Sequence, residues 1–326
     1  MKALTIALLG MCTVLAAPAR SATLDRDSVN NADLSAKDEK PVSPAMIKAQ
    51  VLLDRARFSP GVIDGHGGEN VQNAIKAFEK ARGLKPDGGL DEELWAKLNE
   101  GASEPVLVDY TISEADAKGP FVTIPDKMED QADLDRLGYS SAEELLAEKF
   151  HMDVDLLKAL NPNKRFDKAG EIVVVANVTP LGQEAKDAPK AAKLEVSKAE
   201  KALRVLAEDG SLIAVYPASI GSEEKPAPTG EHTVRTVAPD PSYTYNPDYA
   251  FKGVKTKEKF QIKPGPNNPV GSEWIDLSIE SFGIHGTPEP EKVGKAYSHG
   301  CVRLTNWDVE ALAKMVKKGT PVVFLD

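Results

Sequence analysis

The chain has 326 residues, of which 41% are hydrophobic and 28% charged, and this is enough material for two or three compact domains. Its formal net charge is -10 and no basic face is apparent, which excludes a nucleic-acid-binding protein, because contacts to phosphate need such a face. After residue 19, no stretch approaches the ~20 continuous apolar residues of a membrane-spanning helix, so we expect no transmembrane segment in the mature chain.

The first residues are typical of an export signal. An apolar stretch from Ala3 to Ala17 follows Lys2 and ends in small residues, so we predict a cleaved signal peptide over residues 1–19. Cys12 would be removed with it. Lipidation of Cys12 is an alternative, although Met11 is a poor fit to the small residue that such processing needs.

A three-helix unit is predicted over residues 44–100, after a polar and charged segment at residues 20–43 that we expect to be a disordered tether. Three groups of apolar residues recur at helical spacing. They are Met46, Ala49, Leu53 and Ala56, then Val71, Ala74, Ile75 and Phe78, then Leu94, Trp95 and Leu98. We expect Asn70 to cap the second helix and Gly83 to end it.

Four sequence patterns in this unit resemble a small three-helix peptidoglycan-binding domain. They are Gln50-x-x-Leu53, Gly61-x-x-Asp64-Gly65, Ala74-x-x-x-Phe78 and Asp87-Gly88, in the order of that family. The resemblance implies a domain that tethers the protein to the cell-wall polymer. A generic three-helix bundle is the alternative interpretation.

Residues 105–178 are predicted to form a small α+β unit. Its predicted elements are a strand at 106–112, a helix that follows Ser141 and runs through Phe150, a helix at 153–160 and a strand at 172–175. With Tyr110-Thr111-Ile112 before the helices and Leu160-Asn161-Pro162 after them, the unit resembles a LysM-type glycan-binding module. A long insertion from Ser113 to Ser140 replaces the tight turn of that family, so a glycan-binding module and a plain spacer both stay open.

Residues 194–326 follow a linker at residues 179–193 and are predicted to be mainly β-structure. Asp209-Gly210 separates two segments of strand character and is a strong hairpin signal. The predicted strands are 203–206, 212–216, 232–237, 274–279 and 321–324. The apolar spacing from Val309 to Val316 indicates one helix, and we expect Thr305 or Asn306 to cap it and Gly319 to end it.

Cys301 is the cysteine that remains once the signal is removed, so a disulfide within the mature chain is excluded. A catalytic cysteine reacts as the thiolate, and a free thiol with a pKa near ~8.5 needs a nearby base or positive charge. His285 and His299 are the imidazoles nearest in sequence. Gly286 and Gly300 permit close backbone approach, and the N–H groups of Gly300 and Cys301 are candidates for an oxyanion hole.

The run Ser298-His299-Gly300-Cys301-Val302-Arg303, together with His285-Gly286-Thr287, closely resembles the signature of the L,D-transpeptidase, or YkuD-type, catalytic domain. Further matches in the family's order are Pro228-Thr229-Gly230, Asn268-Pro269-Val270-Gly271, Asn306-Trp307-Asp308 and Gly319-Thr320-Pro321-Val322-Val323. The resemblance covers residues 194–326. It implies a mainly β, sandwich-like catalytic domain with one helix after the catalytic cysteine, in a multidomain chain.

The resemblance also implies the roles of the site residues. Cys301 would be the nucleophile of an acyl-transfer cycle and His285 the base that activates it, oriented by the Gly286 carbonyl. The other residues expected at the site are His299 and Gly300 for catalysis, and Arg303, Ser298 and Thr287 for binding the donor stem peptide. Arg303 suits this role because a guanidinium binds a carboxylate well. No cofactor and no metal are required.

The implied reaction takes place on peptidoglycan in the periplasm. The enzyme would attack the bond after the meso-diaminopimelate of a tetrapeptide stem, release D-alanine and pass the acyl group to an amine. The acceptor can be another stem peptide, an outer-membrane protein or water, and water would make the enzyme a carboxypeptidase. An inactive peptidoglycan-binding protein is a further alternative. We expect the catalytic domain to be complete without the domains before it.

Two other interpretations of Cys301 are a buried structural thiol and a zinc ligand together with His285 and His299, although a fourth ligand is not apparent. A structural thiol leaves the two nearby histidines and the two glycines unexplained. The three other histidines are interpreted as ordinary surface or loop residues. They are His66, His151 and His232.

Overall fold

The structure is a computed structural model. It describes residues 24–34, 42–183, 188–222, 225–249, 254, 256–296 and 300–325. The predicted signal peptide at 1–19 and the expected site residues Ser298 and His299 lie outside the described residues. Within the described part of the chain, no helix combines the length and the apolar character needed to cross a bilayer.

Part of the segment expected to be a disordered tether is ordered. Helix α1 spans Arg26–Asn30, with Asp25 as its N-cap and Val29 fully buried. The side chain of Asn30 accepts hydrogen bonds from the backbone N–H groups of Val106 and Leu107. The prediction failed here because it weighed average polarity, whereas one apolar side chain and one asparagine are enough to fix this short helix against a strand.

Three helices follow, as the apolar spacing predicts. They are α2 (Pro44–Arg55), α3 (Glu69–Ala81) and α4 (Glu92–Asn99). The expected cap of α3 was wrong: Gly68 is the N-cap and makes no side-chain hydrogen bond. Asn70 instead donates from its side chain to the carbonyl oxygen of Val293, 2.9 Å away in the C-terminal domain.

The middle region is a two-stranded antiparallel sheet with helices between its strands. Its elements are β1 (Leu107–Thr111), α5 (Glu114–Lys118), α6 (Met128–Gln131), α7 (Ala142–Lys149), α8 (Val154–Leu160) and β2 (Ile172–Ala176). The insertion therefore contains α5 and α6. It is tied to the rest of the region by Asp116, which accepts hydrogen bonds from Tyr110 and Lys149.

The C-terminal region is mainly β, as predicted. Its strands are β3 (Lys193–Ser197), β4 (Ala202–Leu206), β5 (Leu212–Pro217), β6 (Ser219–Ile220), β7 (Gly230–Pro239), β8 (Tyr243–Tyr245), β9 (Phe260–Ile262), β10 (Glu273–Leu277), β11 (Gly283–His285), β12 (Val302–Arg303) and β13 (Pro321–Leu325). Nine strands form one sheet in the order β5-β4-β3-β13-β7-β10-β11-β12-β6. One helix follows the cysteine, α9 (Asn306–Met315), which is capped by Thr305 and ends before Gly319.

The core of the C-terminal domain lies between this sheet and α9, where Val309 and Leu312 are fully buried. A second apolar cluster runs through α2, α3 and the middle region and includes Val215 of β5. The backbone of Val215 also exchanges 2.9 Å hydrogen bonds with Arg57 and Ser59, in the loop after α2. The three-helix unit and the middle region, together called the front regions, are thus packed onto the C-terminal domain. The sequence had instead led us to expect a catalytic domain that is complete without them.

Candidate active site

Two neighbouring strands position the predicted nucleophile and base. β11 and β12 are parallel, with Ile284 opposite Val302 and His285 opposite Arg303. Cys301 immediately precedes β12, and His285 is the last residue of β11. The sheet therefore brings together two residues that are 16 positions apart in the sequence.

His285 is buried and held by two neighbours. Its Nδ1 lies 2.7 Å from the carbonyl oxygen of Gly286, and its ring stacks on Trp274 with a centroid distance of 5.5 Å. Burial, with a smaller effect from the positive charge of Arg303, lowers the pKa of His285 to about 3. The ring is therefore neutral at neutral pH. With its proton on Nδ1, donated to Gly286, it keeps Nε2 as a proton acceptor.

The Cys301 thiol is half-buried and lies 3.8 Å from the carbonyl oxygen of Ser281. Burial raises the pKa of Cys301, although the Gly283 backbone and the charge of Arg303 lower it. Such a thiol is protonated at rest and needs a base before it can attack. His285 can be that base, because its neutral ring can accept a proton. Ser281 has a φ of 66°, an unfavourable conformation that turns the backbone beside the thiol.

Arg303 is a half-buried cation that lies opposite His285 on the neighbouring strand. Burial lowers its pKa, while Glu289 and Cys301 raise it. Among the described residues, its Nε atom is buried without a hydrogen-bond partner. A buried N–H group of a guanidinium is costly to leave unpaired, so this atom indicates a site for an anionic or carbonyl group of a ligand.

The two glycines of the motif are required by close contacts. Gly300 has a φ of 113°, and a Cβ atom there would lie 2.8 Å from the ring of Phe282. A Cβ atom on Gly286 would lie 2.2 Å from Oδ1 of Asn306. Thr287, which follows Gly286, is also buried and donates its backbone N–H to the same oxygen at 3.1 Å.

The candidate site opens into one large cleft of about 1630 Å³. Cys301, His285, Thr287 and Arg303 all face it. Part of its wall comes from the insertion of the middle region, which the sequence did not connect with the site. The insertion residues that line it are Val122, Thr123, Ile124, Pro125, Asp126, Met128, Gln131 and Ser140.

Backbone contacts fix this wall to the C-terminal domain. Leu137 donates to Pro264 at 2.9 Å and accepts from Asn267 at 3.0 Å, and Arg136 forms a bidentate ion pair with Asp240. A Cβ atom on Gly265 would lie 2.1 Å from the carbonyl oxygen of Leu137, so only glycine permits this approach. The wall is therefore built into the junction of the two regions.

Sequence reasoning missed several residues around the site. Trp274 could have been found as the aromatic residue of β10, but only the strand register shows that it faces His285. His151 was interpreted as an ordinary surface or loop residue; it lies in the turn after α7, but it is not a surface residue. It is buried, with Nδ1 2.9 Å from the Asp54 carboxylate and its ring stacked on Trp307. Both partners lie far from it in the sequence.

Within the residues that the structure describes, no group of three or more His, Cys, Asp or Glu side chains is arranged to hold a metal ion. Because His299 lies outside them, this observation does not concern the combination of His285, His299 and Cys301.

Comparisons with known proteins agree with this arrangement. Residues 191–324 match the family model described as the L,D-transpeptidase catalytic domain, and residues 42–98 match a peptidoglycan-binding domain. A Bacillus subtilis protein named L,D-transpeptidase YqjB is 30% identical over 168 residues, which are 50% of this chain and 86% of the relative. A Bacillus licheniformis protein named L,D-transpeptidase YkuD is 32% identical over 130 residues, which are 40% of this chain and 63% of the relative.

A solved structure was also matched, that of L,D-transpeptidase 3 from Mycobacterium tuberculosis. It has 18% sequence identity and a TM-score of 0.34, and the match covers 48% of this chain and 75% of that one. The family model and the cysteine and histidine motifs rest on the same C-terminal region, and one relative is matched over most of its own length. The chain belongs to the L,D-transpeptidase family.

Proposed function

We propose that this protein is a cysteine-dependent L,D-transpeptidase that acts on peptidoglycan stem peptides. The observation that carries the proposal is the shared cleft, where a protonated thiol, a neutral imidazole and a half-buried guanidinium face the same space. A nucleophile that needs activation, a base able to activate it and a cation for the substrate are the parts that acyl transfer requires.

In the proposed first step, Nε2 of His285 takes the thiol proton and Sγ of Cys301 attacks the carbonyl carbon of the third stem residue. The backbone N–H groups of Gly300 and Cys301 would face the resulting oxyanion. The bond to the terminal D-alanine then breaks, and its amine leaves with the proton from His285. Arg303 would hold a carboxylate of the donor peptide. Ser298 and Thr287 are proposed to line the donor site, and His299 to support the base.

In the second step, an acceptor amine attacks the thioester carbonyl, a new amide bond forms and the Cys301 thiol is restored. The cleft is larger than the ~300–1,000 Å³ of ordinary small-ligand pockets, and this favours a site for two peptides over a hydrolase that admits only water. A stem peptide as acceptor gives a 3-3 cross-link. An outer-membrane protein as acceptor gives attachment of that protein to the wall.

The proposed setting is the periplasm, reached through the export signal at residues 1–19. The three-helix domain would hold the enzyme on its polymer, which raises the effective concentration of stem peptides at the cleft. Residues 105–178 are proposed to add glycan binding of the LysM type.

The test is incubation of the mature protein with purified tetrapeptide muropeptides, followed by mass spectrometry of products and of the Cys301 peptide. We expect release of D-alanine, an acyl adduct on Cys301 and cross-linked dimers, all absent in Cys301→Ala. Equal activity of Cys301→Ala would contradict the proposed nucleophile. Tripeptides without dimers, in the presence of excess acceptor, would identify a carboxypeptidase.

A further inference from the structure

A buried carboxyl group of the middle region contacts the catalytic domain directly behind the active site. Glu148 lies on α7 and is only 4% exposed. Its Oε2 accepts a hydrogen bond from Nδ2 of Asn306 at 3.0 Å, and Tyr139 donates to the same oxygen at 3.4 Å. Asn306, the first residue of α9, is fully buried. The contact joins residues separated by 158 positions in the sequence.

Asn306 in turn holds the loop that carries the base. Its Oδ1 accepts hydrogen bonds from the backbone N–H groups of Ser272 and Thr287, both at 3.1 Å. The oxygen fits there because Gly271 and Gly286 have no side chains: a Cβ atom on either would lie 2.2 Å from it. The amide of Asn306 therefore sets where residues 286 and 287 lie.

The orientation of the Asn306 amide depends on the hydrogen-bond partners of its Nδ2. For Oδ1 to face two N–H groups, Nδ2 must face acceptors, and the acceptors are the Glu148 carboxyl group and, at 3.2 Å, the Pro266 carbonyl. Without Glu148, the buried Nδ2 of Asn306 would lose the shorter of these two hydrogen bonds, and the position of Oδ1 would be less firmly fixed.

The last step is the bond between the loop and the base. The carbonyl of Gly286, next to Thr287, is the group that accepts from Nδ1 of His285 at 2.7 Å. A shift of residues 286 and 287 therefore turns the imidazole and changes the tautomer that the carbonyl selects.

We propose that Glu148 is a positioning residue for acyl transfer: through Asn306, the middle region holds the loop after His285 in the geometry that lets His285 activate Cys301. The inference rests on the proposed function for the role of His285. It assigns to the middle region a part in catalysis, beyond any binding of the wall.

The charge state of Glu148 agrees with a hydrogen-bonding role. Burial raises its pKa to about 8, and the nearby carboxylates of Glu144 and Glu310 add to this, whereas Asn306 and Tyr139 lower it. The group is therefore neutral at neutral pH, and glutamine reproduces its shape and its acceptor oxygen. Glu148→Gln should consequently retain the contact, and leucine or alanine should remove it.

The experiment compares Glu148→Gln, Glu148→Leu and Leu146→Ala in the full chain. Leu146→Ala is the matched control, because Leu146 lies on the same helix, is fully buried and faces the apolar core, so its loss destabilises the protein without touching Asn306. The first readout is acyl transfer from tetrapeptide muropeptides. The second is the rate of alkylation of the Cys301 peptide by iodoacetamide from pH 6 to 10, followed by mass spectrometry.

We expect Glu148→Leu to lower acyl transfer about 10–100-fold, since small displacements of catalytic groups cost up to about that much. Its alkylation profile against pH should move toward that of His285→Ala. Glu148→Gln should stay within a few-fold of wild type, and Leu146→Ala should keep the wild-type profile. If Glu148→Leu does not fold by circular dichroism, Glu148→Ala takes its place, because the smaller side chain leaves room for water.

Wild-type transfer and an unchanged profile in a folded leucine or alanine variant would overturn the proposal. So would a Leu146→Ala profile shifted as much as theirs, since the effect would then be general destabilisation. If wild-type protein transfers no acyl group at all, the proposed function fails, and the alkylation profiles still decide whether Glu148 positions His285.

Discussion

At the scale of single residues, the candidate active site holds its two proposed reactive side chains in uncharged form. Burial raises the pKa of Cys301 and lowers that of His285, so the resting pair is a thiol and a neutral imidazole. A preformed thiolate would be open to oxidation in the proposed exported setting. In the proposed mechanism, proton transfer at the moment of attack avoids that oxidation and requires His285 to be held accurately by Gly286 and Trp274.

The first prediction concerns the two histidines of the motif. His285→Ala should lower the rate of Cys301 acylation by about 10²–10⁴-fold, the usual range for the loss of a general base. His299→Ala should retain more activity, because its proposed role is supportive. Mass spectrometry of the acyl-enzyme against time measures both rates. A larger loss in His299→Ala would reverse the two roles.

At the scale of elements, the first turn of α9 is held by both front regions. Asn306 contacts Glu148 of the middle region, and Asp308 accepts a 2.9 Å hydrogen bond from Ser59 after α2. Burial raises the pKa of Asp308 to about 7 and that of Glu148 to about 8. The turn that begins next to the catalytic strand β12 thus contains or contacts two carboxyl groups that favour the neutral form.

The second prediction is a pH dependence of stability. Between its ordinary pKa of 4.5 and about 8, Glu148 holds a proton in the folded chain that the unfolded chain has lost. The unfolded state then binds fewer protons, so the stability of the fold decreases as pH rises through this window. We expect the Tm to fall from pH 6.5 to 8.5 and to fall less in Glu148→Gln.

The buried carboxyl groups and His285 affect the stability of the fold in different pH ranges. The depressed pKa of His285 removes stability only as pH falls from about 6.5 toward about 3, because only there does the unfolded chain bind the extra proton. Glu143→Gln is a matched control, as Glu143 lies on the same helix and is not fully buried. Calorimetric scans with equal slopes in wild type and Glu148→Gln would rule out Glu148 as the source.

Periodic apolar spacing predicted α2, α3, α4 and α9 because it reports which face of a segment is buried. The capping pattern after Ser141 predicted α7, and Asp209-Gly210 predicted the strands beside it. The motif directed attention to Cys301 and His285, which line one cleft. Apolar spacing has a limit. It did not say against what each face is buried. The contacts of Asn70 with Val293, of Glu148 with Asn306 and of Leu137 with Pro264 join distant parts of the chain, and no local pattern encodes them.

At the scale of the whole molecule, the cleft belongs to more than one region. The C-terminal domain supplies the reacting groups, and the insertion of the middle region supplies part of the wall through a junction that Gly265 permits. Removal of the front regions would expose Val215, Asn306 and the loop around Pro264 to water, because these groups contact the front regions in the full chain. The site is therefore a property of the assembled chain.

The third prediction concerns a truncated chain that starts at Ala191. We expect it to be less stable than the mature protein and to acylate a small soluble donor at least about 10-fold more slowly, because the Asn306 contact and the cleft wall are both lost. Circular dichroism and the acylation rate are the measurements. Equal rates in the two proteins would show that the front regions serve binding alone. Sedimentation with sacculi should also fall in the truncated chain, as the three-helix domain is missing.

The position of β13 has a consequence for the proposed export of the chain. This strand lies C-terminal to all the other described elements, yet it pairs with β3 on one side and β7 on the other, in the middle of the sheet. A chain that is threaded through a membrane from its N-terminus delivers Cys301 and His285 before residues 321–325 arrive. Until then the two halves of the sheet have no common strand to join them. In a chain exported as proposed, the order of the strands delays assembly of the thiol site until translocation has passed β13.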